Sequence, residues 1–378
     1  MLLRSRALAL PSVLLAAALG ASACSSADAT ASGARVGVTA GDGTCELTAT
    51  SVPAGVVTFA VQNTGSQVAE FYVYAADGTT ILSEVENVGP GVTRELVVEL
   101  AAGTAKTTCR PSDGVDGIST DLTVTASGAS SAAAKPSLAQ AVEQYRGFVA
   151  EETAALLAGT EAFVAAVKDG DVAQAKALYP QVRTHWERIE PVVESFADLD
   201  YSLDAREDGV EPGTQWTGWH RLEKALWIDK SLTGMTPVAD QLLADTEDLV
   251  GRIPSIELSP SLIGNGATAL MEEVATGKVT GEEERYSRTD LWDFQANVDG
   301  ARAAYDALAP ALKDADPGLA TTLESRFAAL QAKLDALKQD DGFVLYDDLS
   351  KAQVRELADA VDALAEPLSN LTASVVNG

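Results

Sequence analysis

His220 and Glu223 stand three residues apart in the run Trp216-Thr217-Gly218-Trp219-His220-Arg221-Leu222-Glu223-Lys224. On a helix that spacing puts an imidazole nitrogen and a carboxylate on one face, where both can grip a single ion. Inward-facing Glu-x-x-His pairs line di-iron bundles in the same manner. The competing reading is a plain hydrogen bond across one turn. The second histidine of the chain is His185, and there is no third, so a His-rich zinc cage within one chain is excluded. H-E-x-x-H is absent, which removes that class of metalloprotease, and no nucleophile lies beside an evident base. Mixed nitrogen and oxygen ligation suits iron, zinc or copper, with harder ions preferring more oxygen.

Acidic residues cluster around the same stretch of chain. Glu187, Glu190 and Glu194 share a helical face, and Asp290 and Asp293 repeat the i,i+3 spacing. Asp198, Asp200 and Asp204 follow one predicted helix, and Glu282, Glu283 and Glu284 precede another. Most of these read as solvated faces or as charges complementing helix N-termini, with one or two left to complete a His/carboxylate site. The whole chain carries 27 Lys+Arg against 55 Asp+Glu, a net charge of −28. Such a polyanion repels nucleic acid and attracts cations in a general way.

Cys45 and Cys109 fall in a different part of the chain and have two readings. In an oxidising compartment they form a disulfide. Otherwise they are thiolates of a metal or redox site, with Glu70 as third ligand. A blue-copper centre is excluded, because it needs two histidines beside the cysteine and residues 36–126 contain none.

These residues are carried by two kinds of element. Residues 36–126 alternate in short runs such as Val56-Val57-Thr58-Phe59-Ala60-Val61 and Leu96-Val97-Val98-Glu99-Leu100. Gly/Pro/Asn turns separate them, the pattern of a β-sandwich. Residues 127–137 are a low-complexity linker. From 138 to 378 apolar residues recur at helical spacing, punctuated by Pro180, Pro191, Pro237, Pro254, Pro310 and Pro317. This predicts an all-α bundle with helices over 172–196, 215–229, 237–252, 261–276, 287–312, 318–338 and 349–375, and no strands. Ahead of both domains, Arg4 and Arg6, an apolar run from Leu8 to Leu19 and small residues up to Cys24 read as a signal peptide over 1–23. The run is too short to span a bilayer. Leu19-Gly20-Ala21-Ser22-Ala23-Cys24 resembles a lipobox. On that reading Cys24 is the lipidated N-terminus, 24–35 an anchored linker, and the protein a lipoprotein on the outer face of the cell membrane or in the periplasm. Ordinary cleavage after or near Ala23 would instead give a free secreted protein.

The motifs of the bundle carry a family resemblance. Thr184-His185-Trp186-Glu187-Arg188-Ile189-Glu190-Pro191, Asp198-Leu199-Asp200, the Trp216–Trp227 run and Thr289-Asp290-Leu291-Trp292-Asp293-Phe294-Gln295 resemble the imelysin-like family in the expected order. The likeness is strongest to its exported iron-uptake members. Cys45, Val68-Ala69-Glu70-Phe71 and Thr108-Cys109 resemble the cupredoxin-like domain that those members carry. The resemblance implies an extracytoplasmic component that captures iron, ferric or ferrous, and passes it to a ferric permease beside a haem peroxidase. The family is grouped with peptidases by name, and the lack of H-E-x-x-H and of a nucleophile beside a base is what reads this chain as a binder and not an enzyme. Copper or zinc are the alternative ions, and an imelysin-like metallopeptidase or a copper-binding redox module the alternative functions. The family's G-x-H-x-x-E falls on His220 and Glu223, and its further acidic positions on Glu187, Asp200 and Glu283. Where the family pattern has a histidine, this chain has Arg288, in Tyr286-Ser287-Arg288-Thr289-Asp290, whose charge would oppose a nearby cation.

Overall fold

The computed structural model describes residues 33–111, 117–127, 135–210 and 212–378. The proposed signal peptide, Cys24 and most of the 127–137 linker lie outside them.

The alternating segments form two facing sheets. One has the order β2 (Thr44–Leu47), β1 (Ala34–Gly41), β4 (Gly55–Asn63), β7 (Thr93–Leu100). The other runs β3 (Ser51–Pro53), β9 (Ile118–Thr125), β8 (Gly103–Pro111), β5 (Ala69–Tyr74), β6 (Ile81–Val88). Alternation puts Val36, Val38, Val57, Phe59 and Val61 on the inner face of the first sheet, and Phe71, Val73 and Leu122 on that of the second. Between the sheets Phe59 meets Phe71 with ring centroids 5.2 Å apart. Cys45 of β2 and Cys109 of β8 are joined by a disulfide, which leaves no thiolate pair for a metal. In the β5–β8 register Phe71 pairs with Cys109 and Glu70 with Arg110. Side chains alternate along a strand, so Glu70 lies on the opposite face from Cys109. There it accepts a hydrogen bond from the Tyr72 hydroxyl at 2.9 Å.

The rest of the chain is helical. Pro136 opens α1 (Pro136–Asp169), where its missing N–H costs nothing. Gly170 closes α1 in the left-handed conformation, φ 75°, with the paired amide bonds of a Schellman stop. Against it pack α2 (Val172–Glu187), α6 (Thr236–Arg252) and α8 (Asp290–Ala315), followed by α9 (Pro317–Asp335). On the other side α7 (Pro260–Thr276) packs with α8, α10 (Lys351–Leu368) and α11 (Leu371–Asn377). Two departures from the sequence reading matter. The expected helix over 172–196 breaks at Arg188–Ile189 into α2 and a single turn, α3 (Glu190–Val193), and a further helix, α4 (Ala197–Asp204), follows. The bundle also contains a two-residue hairpin, β10 (Lys338–Gln339) with β11 (Gly342–Phe343). It is too short to leave an alternation in the sequence.

The sandwich rests on α7. Asn265 donates to the Ser83 hydroxyl and to the Val97 carbonyl, each at 2.8 Å, and Arg94 pairs with Glu272.

Candidate metal centre

The segment carrying His220 is held by one close approach. Gly218, at the start of α5 (Gly218–Lys224), has φ 81°. A Cβ there would lie 2.1 Å from the Leu203 carbonyl oxygen of α4. Thr217 and Trp216 tie the same junction by donating to the Ser202 and Ala205 carbonyls, at 2.9 and 2.7 Å. The C-terminal end of α4 and the first turn of α5 are thereby pressed together, and Asp204 meets His220. Beyond Glu223 the helix widens into a π-turn over Ala225–Asp229, a feature that recurs next to functional sites.

His220 is 1 % exposed. Its Nδ1 faces Glu223 Oε2 at 3.2 Å. Its Nε2 faces Glu283 Oε1 at 3.3 Å and Asp204 Oδ1 at 3.5 Å, and makes no hydrogen bond of good geometry. Glu223 is itself pinned, since its Oε1 accepts the backbone N–H groups of Tyr286 at 2.8 Å and Ser287 at 2.6 Å. Donor atoms of Asp204, His220 and Glu283 lie within 4.8 Å of one another, as do those of His220, Glu223 and Glu284 and those of Glu187, Glu190 and Asp204.

Two side-chain cations sit inside this acidic cage. Arg183, fully buried, reaches Glu187 and Asp204 and also Glu284 at 2.6 Å, with Glu283 and Asp293 each at 3.5 Å. Lys278, also fully buried, reaches Glu187 at 2.5 Å, Glu273 at 2.9 Å and Glu190 at 3.1 Å. Asn297 donates to both Glu187 and Glu190. At the rim Arg206 pairs with Glu283 at 2.5 Å.

Burial opposes charge at every one of these groups, so the surroundings decide which stay ionised. Burial pulls the His220 imidazole down, but Asp204, Glu223 and Glu283 outweigh it and push it up to about 10. Asp204 is held below the usual carboxylate range, because Arg183 and His220 overcome its burial. Glu283 is held well below that range by Lys278, His220 and Arg206. Glu190, Glu284 and Asp293 go the other way, well above it, through burial and through neighbouring carboxylates. Asp200 is pushed up to about 7, by burial first and then by Asp204 and Glu273.

Of the residues singled out from sequence, His220, Glu223 and Glu283 meet directly, and Glu187 joins them through Arg183 and Lys278. Asp200 lies one turn before Asp204 on α4, and Asp204 is the residue that faces the imidazole. Asp200 lines the cleft leading to the cage, about 520 Å³, together with Glu190, Glu194, Asp204, Glu273 and Glu283. No signal along the chain separates Asp204 from Asp200, because each directly follows a buried leucine of α4, Leu203 and Leu199. The acids read as solvated are in fact buried at Glu190, Glu284, Asp290 and Asp293. Arg288 stands outside the cage, pairing with Asp347 at 3.3 Å and donating to the Gly281 carbonyl at 2.8 Å. The cations within are Arg183 and Lys278, which sequence reasoning passed over. His185 is elsewhere, 2.6 Å from Glu152.

The imelysin family model matches residues 141–371 and the cupredoxin-like domain model residues 12–124. Iron uptake system component EfeO of Escherichia coli O157:H7 is 40% identical over 340 residues, 89% of this chain and 90% of that protein. The proteins of the same description from Escherichia coli K12 and Shigella flexneri match at the same identity and coverage. A crystal structure described as an iron-regulated protein A precursor, from Parabacteroides distasonis, shares the fold at TM-score 0.51 and 18% identity, over 66% of this chain and 97% of that one. With a family model spanning more than half of its residues and close relatives along nearly its whole length, the chain belongs to the imelysin family, in the branch that carries a cupredoxin-like domain ahead of the bundle.

Proposed function

We propose that this protein is the extracytoplasmic binding component of an iron-uptake system. It captures iron at His220, Asp204 and Glu283, with Glu223 and Glu187 completing or orienting the set, and passes it to a membrane permease. The observation that carries this reading is the His220 Nε2 atom. It is buried, without a hydrogen-bond partner, and turned toward two carboxylates whose oxygens lie within 4.8 Å of it and of each other. A buried imidazolium N–H that meets carboxylates only at 3.3 and 3.5 Å is poorly satisfied, and an ion at that point would take the place of its proton and bind the freed nitrogen. One imidazole nitrogen with several carboxylate oxygens is a donor set that fits iron. The names of the E. coli and Shigella relatives point to the same cargo.

The role is non-catalytic. Ser287 donates to Glu284 at 2.9 Å and meets Thr289 at 2.8 Å, but both hydroxyls are buried and neither residue lines the cleft, so no substrate bond is presented to them. A ferric permease and a haem peroxidase of the same system are the proposed partners, and a lipid on Cys24 the proposed tether. No helix among the described residues is long and apolar enough to cross a membrane.

The test is iron binding by calorimetry on the wild type, His220→Ala and Asp204→Asn. Loss of at least about 1.4 kcal/mol, or tenfold, in each variant is expected. Unchanged affinity in both would remove the site.

A further inference from the structure

Lys278 reads most simply as a counter-charge that lets Glu187 and Glu190 be buried. Its placement says more. The three carboxylates that hold it differ steadily in exposure, from Glu187 at 0 % through Glu190 at 8 % to Glu273 at 34 % of the side chain. They converge on the ammonium from its buried side, at Glu187, to its open side, at Glu273, and Glu190 and Glu273 both line the cleft. The lysine springs from a short 3-10 turn, Lys278–Thr280, whose backbone is fastened. Tyr346 donates to the Val279 carbonyl, and a Cβ on Gly281 would meet the Tyr346 ring at 2.3 Å. The turn is fixed, so the flexible four-carbon stem is the part free to move. Its inner partner, Glu187, belongs with Glu190 and Asp204 to one of the carboxylate groups able to hold an ion, and Asp204 belongs also to the group that includes His220.

Resting on the capture reading above, we infer that Lys278 is a tethered cation that occupies the Glu187–Glu190 end of the cage until a multivalent ion displaces it, and that it thereby sets affinity and charge selectivity. The ammonium keeps its contact with Glu273 and swings toward the cleft, and the ion takes over Glu187 and Glu190. Exchanging one positive charge for another gains nothing in Coulomb energy and gives up well-made hydrogen bonds, so sodium and potassium are rejected. Exchanging one for two or three gains strongly among so many carboxylates. The cost of moving the ammonium lowers the apparent affinity by the fraction of molecules already in the retracted state, which favours release to a downstream acceptor.

The experiment is anaerobic titration of the mature chain with Fe(II), comparing the wild type with Lys278→Met. A retracted population of about 10% or less predicts binding about tenfold tighter, or more, in K278M. The metal-free protein should meanwhile melt at a lower temperature, because Glu187 and Glu190 lose one of their buried cationic or amide partners. A merely structural lysine would show the fall in melting temperature without the gain in affinity, and equal or weaker binding by K278M overturns the inference. Should K278M fail to fold, Glu273→Gln at the rim decides. Removing the outer resting place is expected to weaken Fe(II) binding several-fold, and unchanged or tighter binding overturns the inference. A wild type that takes up no Fe(II) sinks the capture reading and this inference together, whereas wild-type binding without a gain in K278M sinks this inference alone.

Discussion

The sandwich and the bundle bury different things. Between its sheets the sandwich has valines, leucines and phenylalanines, closed by one disulfide, with its acids kept to the outer faces and rims. The bundle has an apolar core of its own, but at one end it also buries an arginine, a lysine, a histidine and more carboxylates than those can neutralise. Burying charge is expensive, and a buried ion pair is often no more stable than an apolar replacement. Stability alone therefore does not account for the bundle's arrangement. The two regions show one chain using a core for cohesion in one place and for holding charge in another.

The sharpest way to break this contrast is Arg183→Met. It strands Glu187, Asp204 and Glu284 around an apolar side chain, and a loss of about 3–5 kcal/mol is expected in denaturant unfolding at neutral pH. A loss below about 1 kcal/mol would mean that the cage is far wetter than its burial indicates. The matching test in the sandwich is the double variant Cys45→Ala, Cys109→Ala. The disulfide closes a loop with 64 residues of sequence separation, so about 2–4 kcal/mol should be lost from the sandwich. Iron affinity should stay at the wild-type value, because neither cysteine belongs to the proposed site; a fall in affinity would join the two regions functionally.

Glu70 offers a smaller effect with a definite pH signature. Burial, and then the Glu86 charge, push its carboxyl up to about 7. The unfolded chain ionises first, near 4.5, so the native state holds the extra proton between those values. Stability therefore declines as pH rises from about 4.5 to 7, and the loss is complete above 7. Glu70→Gln should stabilise the protein by about 1 kcal/mol at pH 8, the partial exposure of the site reducing the nominal shift, and by nothing at pH 4. Equal melting-temperature gains at both pH values would show that the carboxyl titrates normally. Least of all, Arg94→Ala removes a partly exposed ion pair between β7 and α7 and should cost under about 1 kcal/mol. A larger loss would show that the sandwich and bundle depend on each other for stability.

Local chemistry was enough to read the architecture. Alternation with Gly/Pro turns marks strands, and apolar recurrence at 3.6 with proline stops marks helices. Both signals are carried by neighbouring residues, so residues 34–125 and 136–377 divide as the sequence indicates. The His220/Glu223 pair was legible for the same reason, being one helical turn. Asp204, Arg183 and Lys278 were not. Asp204 reaches the imidazole because Gly218 lets α5 press onto the end of α4, and Lys278 comes from a turn 91 residues beyond Glu187. The distinction between a solvated acid and a buried one is equally invisible along the chain. Glu282 and Glu283 are adjacent and chemically alike, yet one is exposed and the other is 3 % exposed beside His220. Periodicity reports which side of an element is apolar, whereas a charge cage is made where several elements end together, and only the packed fold sets those ends side by side.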